Sequence, residues 1–327
     1  MTSRAALWSG SAFALAAGAM WGLVFIAPVL LAEYPALMLS AARYLAFGLI
    51  ALPLAWWDRT ALRGLSREDW VEALKLSAVG NLAYYGFLAA AIQRAGGPLP
   101  TVIIGTLPVV IAIASNLGER NEARLPWRRL APSLGLLAAG IALVNHEELA
   151  RLGTGEGALA DPARYATGAA LAVAAVACWT WYPIRNARWL RAHPGRSPRA
   201  WATAQGLATL PLAAVGFAAF WAWSAASGQP LAMPLGPQPE RFLVLMFAIG
   251  LFGSWLGTLC WNEASQRLPP SLAGQLIVFE TLAALTSAWL LRGLGPGVAA
   301  GVGVGLLVAG VWWALRPGSS GGRGASG

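Results

Sequence analysis

An ionisable group in the middle of an apolar run is costly, so each one is a candidate for function. Glu280, ten residues on from Pro270 in the run Pro270–Leu291, is the deepest. Such a carboxyl can carry a proton, meet a ligand's ammonium, or brace neighbouring helices. Arg43 reaches a comparable depth from the other end of its run, Pro35–Trp57, so the two can pair. Lys75 lies nearer an end, with Glu72 three residues before it, and reads as a snorkelling side chain. Glu263 and Gln266 fall at the end of another run, where a gate or plain solvation is expected. Trp21, Asn81, Tyr84, Tyr85, Trp179, Trp255 and Gln275 share the central depth, and Pro108 can bend its helix there. Aromatic walls with few polar groups suit a flat or apolar ligand, with Asn81, Gln275 and Glu280 as polar partners. The histidines, His146 and His193, lie in or beside loops on opposite sides, and Cys178 and Cys260 are isolated. No HExxH or GxSxG motif is present, so neither a metal nor a cofactor is expected, and an enzyme within the membrane is disfavoured.

The elements that must carry these side chains are helices in a bilayer. Hydrophobic residues make up 57% of the 327 and charged residues only 11%, against about 25% charged in a soluble domain. Apolar runs repeatedly reach the ~20 residues needed to cross the hydrocarbon core. Ten are expected: Ser9–Leu31, Pro35–Trp57, Trp70–Ala95, Pro98–Asn116, Trp127–Asn145, Ala166–Asn186, Pro198–Ser224, Glu240–Gln266, Pro270–Leu291 and Pro296–Leu315. The net charge of +9 does not imply nucleic acid, because the arginine-rich loops around Arg59–Arg67, Arg120–Arg129 and Arg185–Arg199 all fall on one side. Under the positive-inside rule both termini are cytoplasmic and no cleavable signal is expected. Trp8, Trp56, Trp57, Trp70, Trp127, Trp189, Trp221, Trp312 and Trp313 lie near span ends, as interfacial anchors do. The Gly/Ser-rich tail 317–327 is expected to be disordered.

The chain repeats itself. Gly80–Pro108 recurs without a gap 173 positions on as Gly253–Thr281, aligning Ala91 with Ala264 and Gln93-Arg94 with Gln266-Arg267. Gly10 and Trp21 recur as Gly168 and Trp179, and GLLAAG at Gly135–Gly140 recurs as GLLVAG at Gly305–Gly310. An odd number of spans per half makes the repeats inverted, 1–150 and 151–316, with equivalent helices meeting around an in-plane axis. First is expected to meet sixth, third eighth and fourth ninth, while the fifth and tenth pack peripherally through small residues. The expected fold is therefore an all-α polytopic membrane protein of ten transmembrane helices in two inverted five-helix repeats.

These residues carry a resemblance. Pro35–Pro53 with Arg43 between them, Trp261-Asn262 before Ala264, Gln266-Arg267-Leu268-Pro269 and Glu280 resemble the EamA-like members of the drug/metabolite transporter superfamily, over nearly the whole chain to about residue 316. The aromatic middle looks most like the bacterial aromatic amino-acid exporters. Two positions depart from the family pattern: Glu263 stands where an aromatic is common, and Thr281 stands where a proline follows the glutamate. A kink in the ninth helix thus lacks the proline that Pro108 gives the fourth. The resemblance implies a multi-pass protein of the bacterial inner membrane that exports amino acids, above all aromatic ones, or related metabolites by alternating access. An exchanger of anionic metabolites, such as sugar phosphates or nucleotide sugars, is the alternative within the superfamily. It needs a basic cavity that Arg43 and Lys75 supply poorly.

Overall fold

The computed structural model describes residues 4–25, 27, 30–31, 33–95, 98–118, 126–146, 161–228, 232–292 and 297–315; the tail 317–327 and most of the junction between the halves lie outside them. Among the described residues every regular element is helical. We label the helical units α1 (Arg4–Gly22), α2 (Ala36–Trp57), α3 (67–95), α4 (Pro98–Gly105 and Leu107–Gly118) and α5 (Trp127–Val144). They continue as α6 (Pro162–Ala192), α7 (Pro198–Ala226), α8 (Pro239–Arg267), α9 (Pro270–Leu276 and Val278–Arg292) and α10 (Val298–Leu315). Of these α2, α6, α7, α8 and α10 are long and apolar enough to cross a bilayer outright, and Leu107–Gly118 and Leu130–Val144 are shorter apolar helices. This is an all-α polytopic membrane protein. Large apolar side chains such as Trp56, Val215, Val244 and Trp312 stand on its outside, where lipid replaces water.

Packing follows the small residues. The largest helix contacts are α5 with α10, α2 with α7, α3 with α6, α1 with the pair α8 and α9, and α4 with α9. The expected meetings of first with sixth and third with eighth are therefore lesser contacts, made through central side chains. Glycines set the close approaches, and they do so in matched pairs. A Cβ on Gly10 would strike Leu268, and one on Gly168 would strike Ala95, which aligns with Leu268 in the repeat. Gly80 lies against the Tyr182 ring as Gly253 lies against Val24. Between α5 and α10, Gly140 abuts the Gly303 carbonyl, and Gly310 abuts Leu137 and the Ser133 carbonyl.

One test of this packing follows directly. A Cβ on Gly303 would come 2.8 Å from the Gly140 carbonyl, whereas one on Gly301 would meet nothing within 4 Å. Gly303→Val is expected to lose about 1–3 kcal/mol of stability by overpacking, with Gly301→Val close to the parent; thermal unfolding in detergent checks both.

Two kinds of irregularity interrupt the helices, and both occur in both halves. Ser77–Ala83 in α3 and Ile249–Leu256 in α8 are π-helical, at aligned positions of the repeat. A π turn leaves carbonyls poorly paired and tends to occur at functional positions. The second irregularity is a break. In α4 it falls at Thr106, where both the Thr106 N–H and hydroxyl donate to the Ile103 carbonyl and Pro108 cannot donate to Ile104. In α9 it falls at Ile277, without any proline: Ile277 N–H donates to Gly274 and Glu280 N–H to Ile277, three residues back each time. These tightened turns shift the helix phase, so α9 breaks even though Thr281 replaces the expected proline.

Candidate functional site

The aromatic residues of the central level converge into one stack. The Trp179 ring lies between Tyr84 at 4.8 Å and Tyr182 at 5.2 Å, both stacked on it. Trp21 meets it edge-on at 5.6 Å and touches Trp261 at 5.4 Å on its other side. Four helices contribute: α1, α3, α6 and α8. Among the sequence candidates, Trp21, Tyr84 and Trp179 are thus in direct contact. Tyr182 and Trp261 complete the stack and were not singled out beforehand. The signals were available, since Tyr182 is one helical turn beyond Trp179 and Trp261 sits in the Trp-Asn motif. Among the described residues the buried indole N–H groups of Trp179 and Trp261 find no acceptor.

Glu280 stands in the first turn of the second α9 segment, just past the break. The N-terminal ends of such half-helices carry the positive end of the dipole. Gly18 explains how it meets the stack: a Cβ there would strike Phe279 and the Glu280 backbone, so α1 runs directly against this turn, with Trp21 one turn further on. Arg43, Tyr44 and Tyr84 lie within electrostatic reach of the carboxyl. Glu280 is only partly buried and, among the described residues, forms no hydrogen bond or ion pair. The expected pairing with Arg43 does not form. Arg43 instead donates to Ser254 Oγ at 3.2 Å and to the Gly253 carbonyl at 3.4 Å, in the π segment of α8, and sits 5.0 Å over the Tyr44 ring.

Other candidates are placed around this centre. Tyr85 packs with Tyr44, Phe47 and Trp255 in an adjoining cluster. Trp255 donates through its indole to Thr203 Oγ at 3.2 Å, and Asn81 donates to Thr209 Oγ at 3.3 Å. Both acceptors lie on α7, whose buried face forms a polar ladder that the sequence did not flag. Tyr182 donates to Gln205 Oε1 at 2.9 Å, and Gln205 and Trp201 both donate to Asn186 Oδ1. Asn186 in turn donates to Asn262 Oδ1 at 2.7 Å. Gln275 is not brought to the centre. It is buried, accepts from the Ser133 hydroxyl on α5 and donates to the Ser271 carbonyl, so its amide ties α9 to the α5–α10 pair. Pro108 is buried at the start of the second α4 segment, two residues past the break.

Three residues near the arginine-rich ends have firm partners. Glu263 pairs with Arg267 on its own helix. Glu72 turns away from Lys75 and binds Arg185 of α6, with Nη2 donating to Oε2 at 2.9 Å. Trp189 is no interfacial anchor: it is 9% exposed, stacks on Trp201 at 3.5 Å, and donates to Asp69 Oδ1 at 3.1 Å. Its position near a helix end was a poor guide because α6 runs on to Ala192, covered by α3 and α7. Among the described residues no three His, Cys, Asp or Glu side chains gather as a metal site would require.

A helical membrane protein with a central aromatic stack and discontinuous helices has the parts of a secondary transporter. Comparison with known proteins agrees. The model of the EamA-like transporter family matches residues 8–145. The inner membrane protein YtfF of Escherichia coli (strain K12) is 49% identical over 309 residues, covering 94% of this chain and 95% of that protein. A crystal structure 20% identical in sequence shares the fold, with a TM-score of 0.70 over 95% of this chain and 98% of its own. The chain belongs to the EamA-like transporter family.

Proposed function

We propose that this transporter exports amino acids, aromatic ones above all, by alternating access between two inverted five-helix repeats. The observation that carries the reading is Glu280, a carboxyl without a hydrogen-bond or ion-pair partner among the described residues, at the broken turn of α9 beside a wall of Trp21, Tyr84 and Trp179. A carboxylate next to aromatic faces is complementary to a substrate with an ammonium group and a flat side chain. The repeat reading is supported by the aligned π segments and breaks and by the glycine contacts that recur in exchanged order. The α5–α10 pair stands aside from the aromatic centre, so α1, α3, α4, α6, α8 and α9 wall the path. Exchange of anionic metabolites is less favoured, because the central cation, Arg43, is already tied to Ser254 and Gly253.

Two experiments bear on this. Counterflow into proteoliposomes preloaded with phenylalanine should accumulate labelled phenylalanine; accumulation only with a sugar phosphate inside would transfer the assignment to the anion exchangers. Ten spans with both termini in the cytoplasm require alkaline phosphatase fused after Arg316 to stay inactive in cells. A fusion active in the periplasm overturns that topology.

A further inference from the structure

Among the described residues, three ion pairs join the first half of the chain to the second, and all three lie at one end of the bundle. Asp58, Asp69 and Glu72, from the α2–α3 region, meet Arg199, Arg196 and Arg185, from the α6–α7 region. The acids all come from one half and the arginines all from the other. At the opposite end no ion pair joins the halves among the described residues: Tyr34 donates to the Leu235 carbonyl at 2.9 Å, accepts from Gln238 N–H at 2.8 Å and stacks on Phe242 at 4.9 Å, and Gln238 Nε2 donates to Glu33 Oε2 at 3.1 Å.

The three pairs are not alike. Glu72–Arg185 and Asp69–Arg196 face an open chamber of about 520 Å³, with Glu68, Asp69 and Glu72 on one wall and Arg185, Arg188 and Arg196 on the other. All three arginines are partly exposed, with side chains at 47% for Arg185, 34% for Arg196 and 55% for Arg199, so it is the chamber that sets the first two pairs apart. The Asp69 carboxylate is fixed more firmly than its arginine. Asp69 accepts from Ser66 N–H at 2.9 Å in a helix cap and from the Trp189 indole at 3.1 Å. If either arginine swings out, chamber water can replace it at the carboxylate, which makes the separation reversible. The Asp58–Arg199 pair is built differently. Asp58 is 3% exposed, accepts from Thr203 Oγ at 2.8 Å as well, and is not on the chamber wall. Thr203 in turn accepts from Trp255 at the centre.

We propose that Glu72–Arg185 and Asp69–Arg196 are an ionic latch between the two halves, closing the arginine-rich mouth of the transport path, with Asp58–Arg199 as the pivot that stays joined. The latch must part each time that mouth opens, and its two arginines, which line the chamber, are the parts that move. The chamber is then the outer portion of the path, open in front of the latch. The proposal rests on the transport reading only in assigning this end to a path; the latch itself is a property of the two halves.

The test uses the full chain in lipid nanodiscs, with Cys178→Ser and Cys260→Ser, and spin labels at Arg67→Cys on α3 and Ala192→Cys on α6, both exposed positions. Electron–electron double resonance reads the distance between them without any substrate. Glu72→Gln with Asp69→Asn is expected to raise the long-distance fraction by up to about 25-fold, the scale of losing two partly exposed ion pairs at about fivefold each. Glu72→Arg with Arg185→Glu is expected to restore the parent distribution. Arg185→Gln, which leaves the acids in place and able to hydrate, gives the same reading should the double variant fold poorly. Distances unchanged in these variants overturn the latch. Unchanged distances with intact phenylalanine counterflow reject the latch alone; opened distances without amino-acid transport reject the substrate assignment alone.

Discussion

Glu280→Gln is expected to lower the initial rate of phenylalanine transport by about 10- to 100-fold, the equivalent of losing one charged hydrogen bond worth ~1.5–3 kcal/mol. The substitution keeps size and hydrogen-bonding capacity and removes only the charge. The carboxylate has no hydrogen-bond or ion-pair partner among the described residues, so folding does not depend on that charge being answered within the protein. Thermal unfolding of the Gln variant is therefore expected to match the parent. That combination, lost transport with kept stability, is what separates a substrate or proton site from a brace. A brace would behave in the opposite way, since a side chain tying α1 to α9 should weaken the fold when altered. Transport within twofold of the parent would leave the carboxylate without a role in the cycle. The position of Glu280 strengthens the expectation. It stands at the N-terminal end of a half-helix, and α1 reaches it only because residue 18 is glycine.

The sequence disclosed the framework because the framework is periodic and small residues mark it. Gly10, Gly80 and Gly140 could be matched to Gly168, Gly253 and Gly310 by spacing alone, and the structure puts all six at close helix approaches. The π segments were hidden, since a π turn depends on how neighbouring helices seat and has no composition of its own. Local cues misled in particular ways. Thr281 suggested an unbroken ninth helix, but the backbone tightens at Gly274–Glu280 without a proline. Glu72 and Lys75 had helical spacing, yet a bidentate arginine from α6 outcompetes a flexible i+3 lysine for the carboxylate. Gln275 had the right depth and the wrong azimuth: depth follows from counting residues, whereas the face follows from packing. The same limit hid the α7 ladder and the inward placing of Tyr182 and Trp261.

The aromatic stack gives the sharpest test of substrate class. Trp21 and Trp179 are equivalent in the repeat and touch each other, so replacing both with alanine opens the wall from both halves at once. Each aromatic pair lost with a flat substrate is worth about 0.5–1.5 kcal/mol beyond buried area. Two together predict a fall of about 5- to 100-fold in phenylalanine and tryptophan transport. Threonine, which has no ring to stack, should fall far less. The informative quantity is the ratio of phenylalanine to threonine rates within one variant, because expression level, folding yield and turnover cancel in it. This matters here, since removing a buried indole also leaves a void that costs stability, by about 3–5 kcal/mol for full truncation. Trp179→Phe separates the two effects further, as it keeps a ring between Tyr84 and Tyr182 while shortening it. It should retain most of the ratio that Trp21→Ala with Trp179→Ala loses. Equal losses for all three amino acids would make these tryptophans packing residues, and an unchanged ratio with full activity would place the substrate elsewhere along the path.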